Sequence, residues 1–322
     1  MSEIIRPRFY VAGYGAALPS TEVTNQQVSD ELFEQSGVKK NPRRWEDTGI
    51  LSRRRANPQR GETLANLCAE SADMALEQAS ISPEKIGLVV VATFTRDEPA
   101  PTTAAKVKEQ LGLVNAYIEN VDGLCAGFLD GLIAVEAAIA FEGIKDALLI
   151  GGDLVGDVTN RGDKTTCGIY GDGTGAWVIR AANANDGRGI LGSTKIARMG
   201  QQIGSTEEGY LRIEDARGSY ELTKDIMLES GRAVLAMARL AGPDLDRAIL
   251  HQVNGKILGE VADELAIPRA IMPITNGHTA NCGAGSIPYT SYVANSDRPL
   301  TGPVLYIAGG GDSKGRAVLL QQ

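Results

Sequence analysis

The sequence predicts an α/β protein built of layered sheets, and three observations carry that. Strand-like and helix-like segments alternate along all 322 residues. The run Gly87-Leu88-Val89-Val90-Val91-Ala92 is the kind of continuous apolar, β-branched stretch that forms a strand buried on both faces. The order strand, helix, strand, glycine turn, helix, strand occurs twice, which predicts two duplicated halves, 1–175 and 176–322.

Taken in order, residues 8–17 read as a first strand and 25–35 as a helix with Thr24 as its N-cap. Residues 39–60 are polar and basic and read as a surface excursion. Residues 62–79 form an alanine- and leucine-rich helix, 86–94 a buried strand and 103–111 a short helix. A strand at 116–121 leads into Val121-Asp122-Gly123-Leu124-Cys125-Ala126-Gly127-Phe128, and a helix at 126–141 follows. That helix is apolar on every side, so it is expected to be buried all round. Next come a strand at 147–151, a glycine-rich turn at 171–175 and a strand at 176–180. Residues 183–222 look polar and irregular. A helix at 224–241, a strand at 247–250, a helix at 255–267, a strand at 271–274, a helix at 286–295 and strands at 303–308 and 315–320 complete the chain.

Composition narrows the function class. With 43% hydrophobic and 22% charged residues the chain is an ordinary globular protein, and its net charge of −8 argues against nucleic-acid binding. No apolar run approaches the length of a membrane span, and residues 1–6 lack a signal-peptide pattern, so a cytoplasmic protein with no membrane contact is expected. The four cysteines form no C-x-x-C pair, which argues against a metal centre. Lys39, Lys40, Arg43, Arg44 and Arg53 to Arg55 cluster early. They read either as a solvated face or as a mouth that attracts phosphate or an acidic carrier.

Cys125 stands apart from Cys68, Cys167 and Cys282, which read as structural. It lies between a strand and a helix N-terminus, where free N–H groups favour a thiolate. Gly123 and Gly127 flank it in the spacing of a nucleophile elbow. The chain has two histidines. His251 ends a strand, where α/β folds build their sites, and His278 lies in a glycine- and asparagine-rich turn. Asn281 sits in a turn that could need it for backbone reasons alone. The triple glycine 309–311 could bring N–H groups to a ligand oxygen.

Five motifs in order resemble the β-ketoacyl-ACP synthase III family of the thiolase superfamily: residues 121–128, Tyr170-Gly171-Asp172-Gly173-Thr174-Gly175-Ala176, His251-Gln252-Val253-Asn254, residues 281–288, and Ala308-Gly309-Gly310-Gly311. The resemblance covers nearly the whole chain. It implies a thiolase fold of five αβαβα layers, a homodimer and a tunnel for a phosphopantetheine arm. The family's Cys, His and Asn fall on Cys125, His251 and Asn281. Cys125 would take an acyl group from a thioester carried on CoA or acyl carrier protein. Cys125 N–H, with Gly310 and Gly311, would form the oxyanion hole. His251 and Asn281 would stabilise the enolate of a malonyl-type thioester as it loses CO₂ and attacks the acyl carbon, with no metal or redox cofactor.

The departures from the family pattern mark the substrate side. Arg43 stands where the family usually has a tryptophan that stacks on the CoA adenine, with Trp45 displaced by two, so a carrier-bound donor gains weight. Lys256 replaces a usual arginine after the turn that holds Asn254, and so keeps the charge without the fork. Ala100 falls at the gate of the acyl pocket, implying room for a longer or bulkier chain. Glu98 lies in the same loop and reads as a surface charge or as a base. Two alternatives remain open. One is an acyltransferase of the same fold that acts on a hydroxyl or amine. The other is a Cys hydrolase in which Asp153 or Asp172 pairs with His251.

Overall fold

The structure is a computed structural model that describes residues 8–183, 185–200 and 203–322. The segment read for a signal pattern, residues 1–6, lies outside the described residues.

Two sheets organise the described residues. In the first, Phe9–Ala17 pairs antiparallel with Asp172–Ala181, which pairs antiparallel with Asp146–Leu154. Leu88–Ala92 then pairs parallel with Asp146–Leu154 on one side and with the edge strand Tyr117–Val121 on the other. The second sheet repeats the first four strands of this pattern and has no counterpart of the edge strand Tyr117–Val121 among the described residues. Gly189–Ala197 is antiparallel to Lys314–Gln321, which is antiparallel to Pro303–Gly310, which runs parallel to Arg247–Leu250. Strand Asp172–Ala181 belongs wholly to the first sheet, and the expected division at 175/176 falls inside it.

Three apolar clusters stack these sheets into five layers. Between the sheets, Phe128, Leu132 and Val135 of helix Gly127–Glu142 meet Trp177 and Leu149 of one sheet and Tyr306, Ile249 and Val318 of the other. Phe128 and Trp177 are edge to face, with ring centroids 4.7 Å apart. Helix Ser286–Asp297 shares this middle layer. Helices Leu64–Ala79 and Thr103–Gln110 cover the outer face of the first sheet through Leu67, Cys68, Ala72 and Val107. Helices Ala216–Ala238 and Gly255–Glu264 cover the second through Met227, Val234, Leu258 and Val261. This is the five-layer arrangement that the motifs implied.

Local signals set most boundaries. Thr24 caps helix Asn25–Ser36, and Gln27 returns a bond to the cap, forming a reciprocal box. Five expectations need correction. Residues 39–60 are not a surface excursion, because Trp45, Ile50 and Arg53 are buried. Arg53 tolerates burial by donating to Val23 O, Asn25 Oδ1 and Gly168 O and by stacking over Trp45. Residues 172–175 are strand rather than turn. Their glycines let the sheet lie against helix Ser286–Asp297, for a Cβ on Gly175 would come 2.6 Å from Tyr289 N.

Gly189–Ala197 is a strand missed in the segment read as irregular. It is a sheet edge in which exposed positions such as Leu191 and Lys195 alternate with buried ones, and its glycines, Ser193 and Thr194 break up any continuous apolar run. Residues 271–274 form no strand; Pro268 and Pro273 bracket a 3₁₀ turn at Arg269–Ile271. Finally, helix Gly127–Glu142 is not buried all round. Its far side leaves Phe141 88% exposed. The stretch Leu124–Glu142, with mean hydropathy 1.9, is long and apolar enough to span a bilayer by composition. Its inner face packs instead between the two sheets.

Candidate active site

Parallel strands of both sheets end toward one region, and the candidate residues ride on those ends. Edge strand Tyr117–Val121 delivers Cys125 in a 3₁₀ turn, Leu124–Ala126, just ahead of helix Gly127–Glu142. The turn is strained, with Leu124 at φ +45°. Gly123 is required because a Cβ there would lie 2.5 Å from Gly127 Cα. Asp130, in the first turn of the helix, accepts from Arg316 Nε at 2.6 Å and so ties the elbow to the last strand.

His251 follows Arg247–Leu250. Its N–H donates to Ile307 O at 2.8 Å, which sets it beside the strand that carries Gly309 and Gly310. The Cys125 turn packs against the same strand and against the turn Gly283–Gly285 that follows Asn281. A Cβ on Gly310 would stand 3.4 Å from the Cys125 sulfur, and the backbone N–H of Gly311 favours the thiolate form. Asn281 Oδ1 accepts from Gly283 N at 2.9 Å, and its backbone pairs with Ile169 and Gly171. A cavity of about 190 Å³ results, lined by Cys125, Tyr170, Thr223, Asn254, Asn281 and Gly311 among others.

Electrostatics corrects one expectation. The helix terminus does not leave Cys125 a ready thiolate. Burial pushes its thiol up to about 12 and the charge of Asp153 adds to the rise, while the Gly311 N–H works against both. His251 is fully buried and does not itself line the cavity. Burial lowers it to about 4, so it is a neutral imidazole at physiological pH. Neither of its ring nitrogens has a hydrogen-bond partner. Orphaned buried polar atoms are costly, so both ring nitrogens are left with bonding capacity that a ligand can complete.

Other predicted residues fall differently. Asn254 caps helix Gly255–Glu264 through Lys256 N at 2.8 Å and lines the cavity, while Lys256 is exposed. Arg43 is exposed, and Trp45 is buried between Lys40 Nζ at 4.7 Å and Arg53. Glu98 and Ala100 are exposed and outside this cavity, and Glu98 pairs with Lys106 at 3.1 Å. The hydrolase alternative fails. Asp172 is taken by Ala56 N and Gly156 N, Asp153 by other donors, and neither pairs with His251. His278 bonds Tyr289 instead. Sequence reasoning missed Gln252, which is fully buried. Its Oε1 accepts from Thr275 N and Asn276 N and so holds the segment leading to Asn281. Only its place in the motif signalled it.

Residues 120–198 match the family model for 3-oxoacyl-[acyl-carrier-protein] synthase III, and residues 235–320 match the model for its C-terminal part. The chain belongs to the β-ketoacyl-ACP synthase III family. A curated synthase III of this family from Sphingopyxis alaskensis is 31% identical, covering 97% of this chain and 98% of that protein. A 3-oxopimeloyl-[acyl-carrier-protein] synthase from Brucella abortus is 30% identical, covering 97% and 98%. The solved 3-oxoacyl-[acyl-carrier-protein] synthase III of Aquifex aeolicus superimposes with a TM-score of 0.89 at 28% identity, covering 98% of this chain and all of that one. As a β-ketoacyl synthase III-like protein, the chain is a condensing enzyme of the acyltransferase class.

Proposed function

We propose that Cys125, His251 and Asn281 carry out a two-stage condensation. In the first stage the Cys125 sulfur attacks an acyl thioester, and the thiol of the carrier leaves with the cysteine proton. The N–H groups of Cys125 and of the Gly310–Gly311 segment face the developing oxyanion. In the second stage an enolate forms, by loss of CO₂ from a malonyl-type thioester or by transfer of the acidic α-proton of a β-ketoacyl-type thioester to water. Its carbon attacks the acyl carbon, and Cys125 leaves as thiolate to be reprotonated. A neutral His251 is suited to donate a hydrogen bond to the enolate oxygen, as is the free amide end of Asn281. Neither stage calls for a metal or redox cofactor.

The observation that carries this reading is the pair of unpartnered nitrogens on buried His251, held beside strand Pro303–Gly310 against which the Cys125 turn packs. The presence of Asn281 favours condensation over simple transfer to a hydroxyl or amine, which needs no enolate stabiliser. The burial of Trp45 and the exposure of Arg43 support a carrier-bound donor over one held by adenine stacking. The reading has the enzyme working in the cytoplasm, in specialised fatty-acid or polyketide synthesis, with acyl carrier protein as its partner.

It also has the enzyme as a homodimer. The open edge of Tyr117–Val121, with Tyr117 76% exposed, and Phe141 on the adjoining helix support a second copy there. In that dimer Ala100 and Glu98 would meet the partner's pocket. The experiment is intact-protein mass after incubation with acyl-CoA and acyl-carrier-protein panels, beside Cys125→Ala. An adduct in the wild type alone is the expected result, and no adduct with any donor would refute the covalent step.

A further inference from the structure

Asp153 is the penultimate residue of strand Asp146–Leu154 and is fully buried. Its Oδ1 accepts from Thr93 Oγ1 at 2.8 Å, Phe94 N at 2.9 Å, Thr95 N at 3.2 Å and Thr95 Oγ1 at 3.1 Å. Its Oδ2 accepts from Ala284 N at 2.7 Å. Four of these donors belong to the first sheet's side of the molecule. The fifth belongs to the turn that follows Asn281. Among the described residues the ion pairs include none with Asp153, so hydrogen bonds alone compensate its burial.

The turn is shaped around this carboxylate. Gly283 has φ +54°, and a Cβ there would come 2.2 Å from Asp153 Oδ2. The same Gly283 donates its N–H to Asn281 Oδ1. An N–H donor at that end fixes which way the Asn281 amide points. The oxygen is engaged, and the N–H₂ end is left for the cavity that Asn281 lines. Asp153, Ala284 N, Gly283 and the Asn281 amide thus form one chain of contacts from the first sheet to the reacting region.

We propose that Asp153 is a positioning residue: it clamps the 283–284 turn so that Asn281 presents its N–H₂ to the enolate oxygen. The proposal rests on the condensing reading above and assigns Asp153 to the second stage only. Acyl loading of Cys125 does not use Asn281, so loss of the clamp separates the two stages, which a general loss of stability does not.

The test measures the two stages apart. Asp153→Asn keeps the volume but turns an N–H₂ against donors on one side or the other. Loading of Cys125, read as adduct mass against time, is expected to slow by no more than about 3-fold, because removing the Asp153 charge eases ionisation of the thiol rather than hindering it. CO₂ release from a malonyl thioester is expected to fall about 10²-fold, the scale of a misplaced reacting group. Equal losses in both stages, or no loss in either, would overturn the proposal. Thr93→Val, which removes one donor from Oδ1, carries the test if Asp153→Asn does not fold. An about 3-fold loss confined to CO₂ release is then expected, and an unchanged ratio of the two stages would overturn it. A wild-type chain that loads no acyl group overturns the parent reading and this proposal with it. Loss in both stages of the variant alone overturns only this one.

Discussion

Cys125 rises from a strained 3₁₀ turn in which Leu124 takes a left-handed conformation, and it meets the cavity directly. His251 and Asn281 lie in a deeply bonded frame. His251 is sealed beside strand Pro303–Gly310, and Asn281 is braced through Gly283, with Gln252 holding the residues before it. The nucleophile is therefore placed by backbone strain and the hydrogen-bond donors by a network. A covalent acyl group must come and go at Cys125. The donors at His251 and Asn281 act best when their orientation is fixed before the charge develops.

The largest effect that sharpens this contrast concerns the resting thiol. With its pKa pushed up from 9.0 to about 12, Cys125 in the unliganded enzyme is a thiol. Its alkylation by iodoacetamide at pH 7.5 is expected to run on the order of 10³-fold slower than that of an exposed cysteine. The rate should keep rising with pH beyond 9. A plateau below pH 8 would restore the thiolate read from the helix terminus.

Asn281→Ala should break the comparison from the other side. Removing one preorganised donor is expected to slow condensation by about 10²–10³-fold, while adduct formation at Cys125 continues. Parallel loss of both stages would mean that the two regions are not separable.

A smaller effect comes from His251 through linkage. Its folded pKa of about 4 lies below the ordinary 6.5, so between these values the unfolded chain binds more protons. The stability it contributes is complete above pH 6.5 and is lost as pH falls toward 4. The full span is worth about 3 kcal/mol. Urea unfolding of wild type and His251→Gln across pH 4–7 reads it, as a wild-type advantage that grows with pH. An advantage that is flat or shrinks with pH would contradict the buried, neutral assignment.

Much of this was legible in the residues. The apolar strand 88–92, the Thr24 cap, the Cys125 elbow and the strand-end His251 follow from periodicity and turn chemistry. Strand Gly189–Ala197 was not legible, because an edge strand needs only one apolar face and its pattern reads as polar loop. The burial of Arg53 and Trp45 escaped for a related reason. A basic run reads as solvated until the carbonyls that accept from it are known. The raised pKa of Cys125 is not legible because a helix terminus is visible in sequence, whereas the enclosing segments at 283–285 and 303–313 are not. In the sequence Asp153 reads only as a possible partner for His251, because its actual donors lie up to 131 residues away.

The central claim is that one cavity loads an acyl group on Cys125 and then condenses it. Its most direct test adds a malonyl thioester to enzyme already carrying an acyl adduct, and follows the adduct, CO₂ and product together. The account predicts that adduct loss, CO₂ release and β-ketoacyl product appear in equal amounts in wild type, and that Asn281→Ala holds its adduct without releasing CO₂. Adduct loss to free acid or to a simple ester, with no CO₂ and no ketone product, would contradict it.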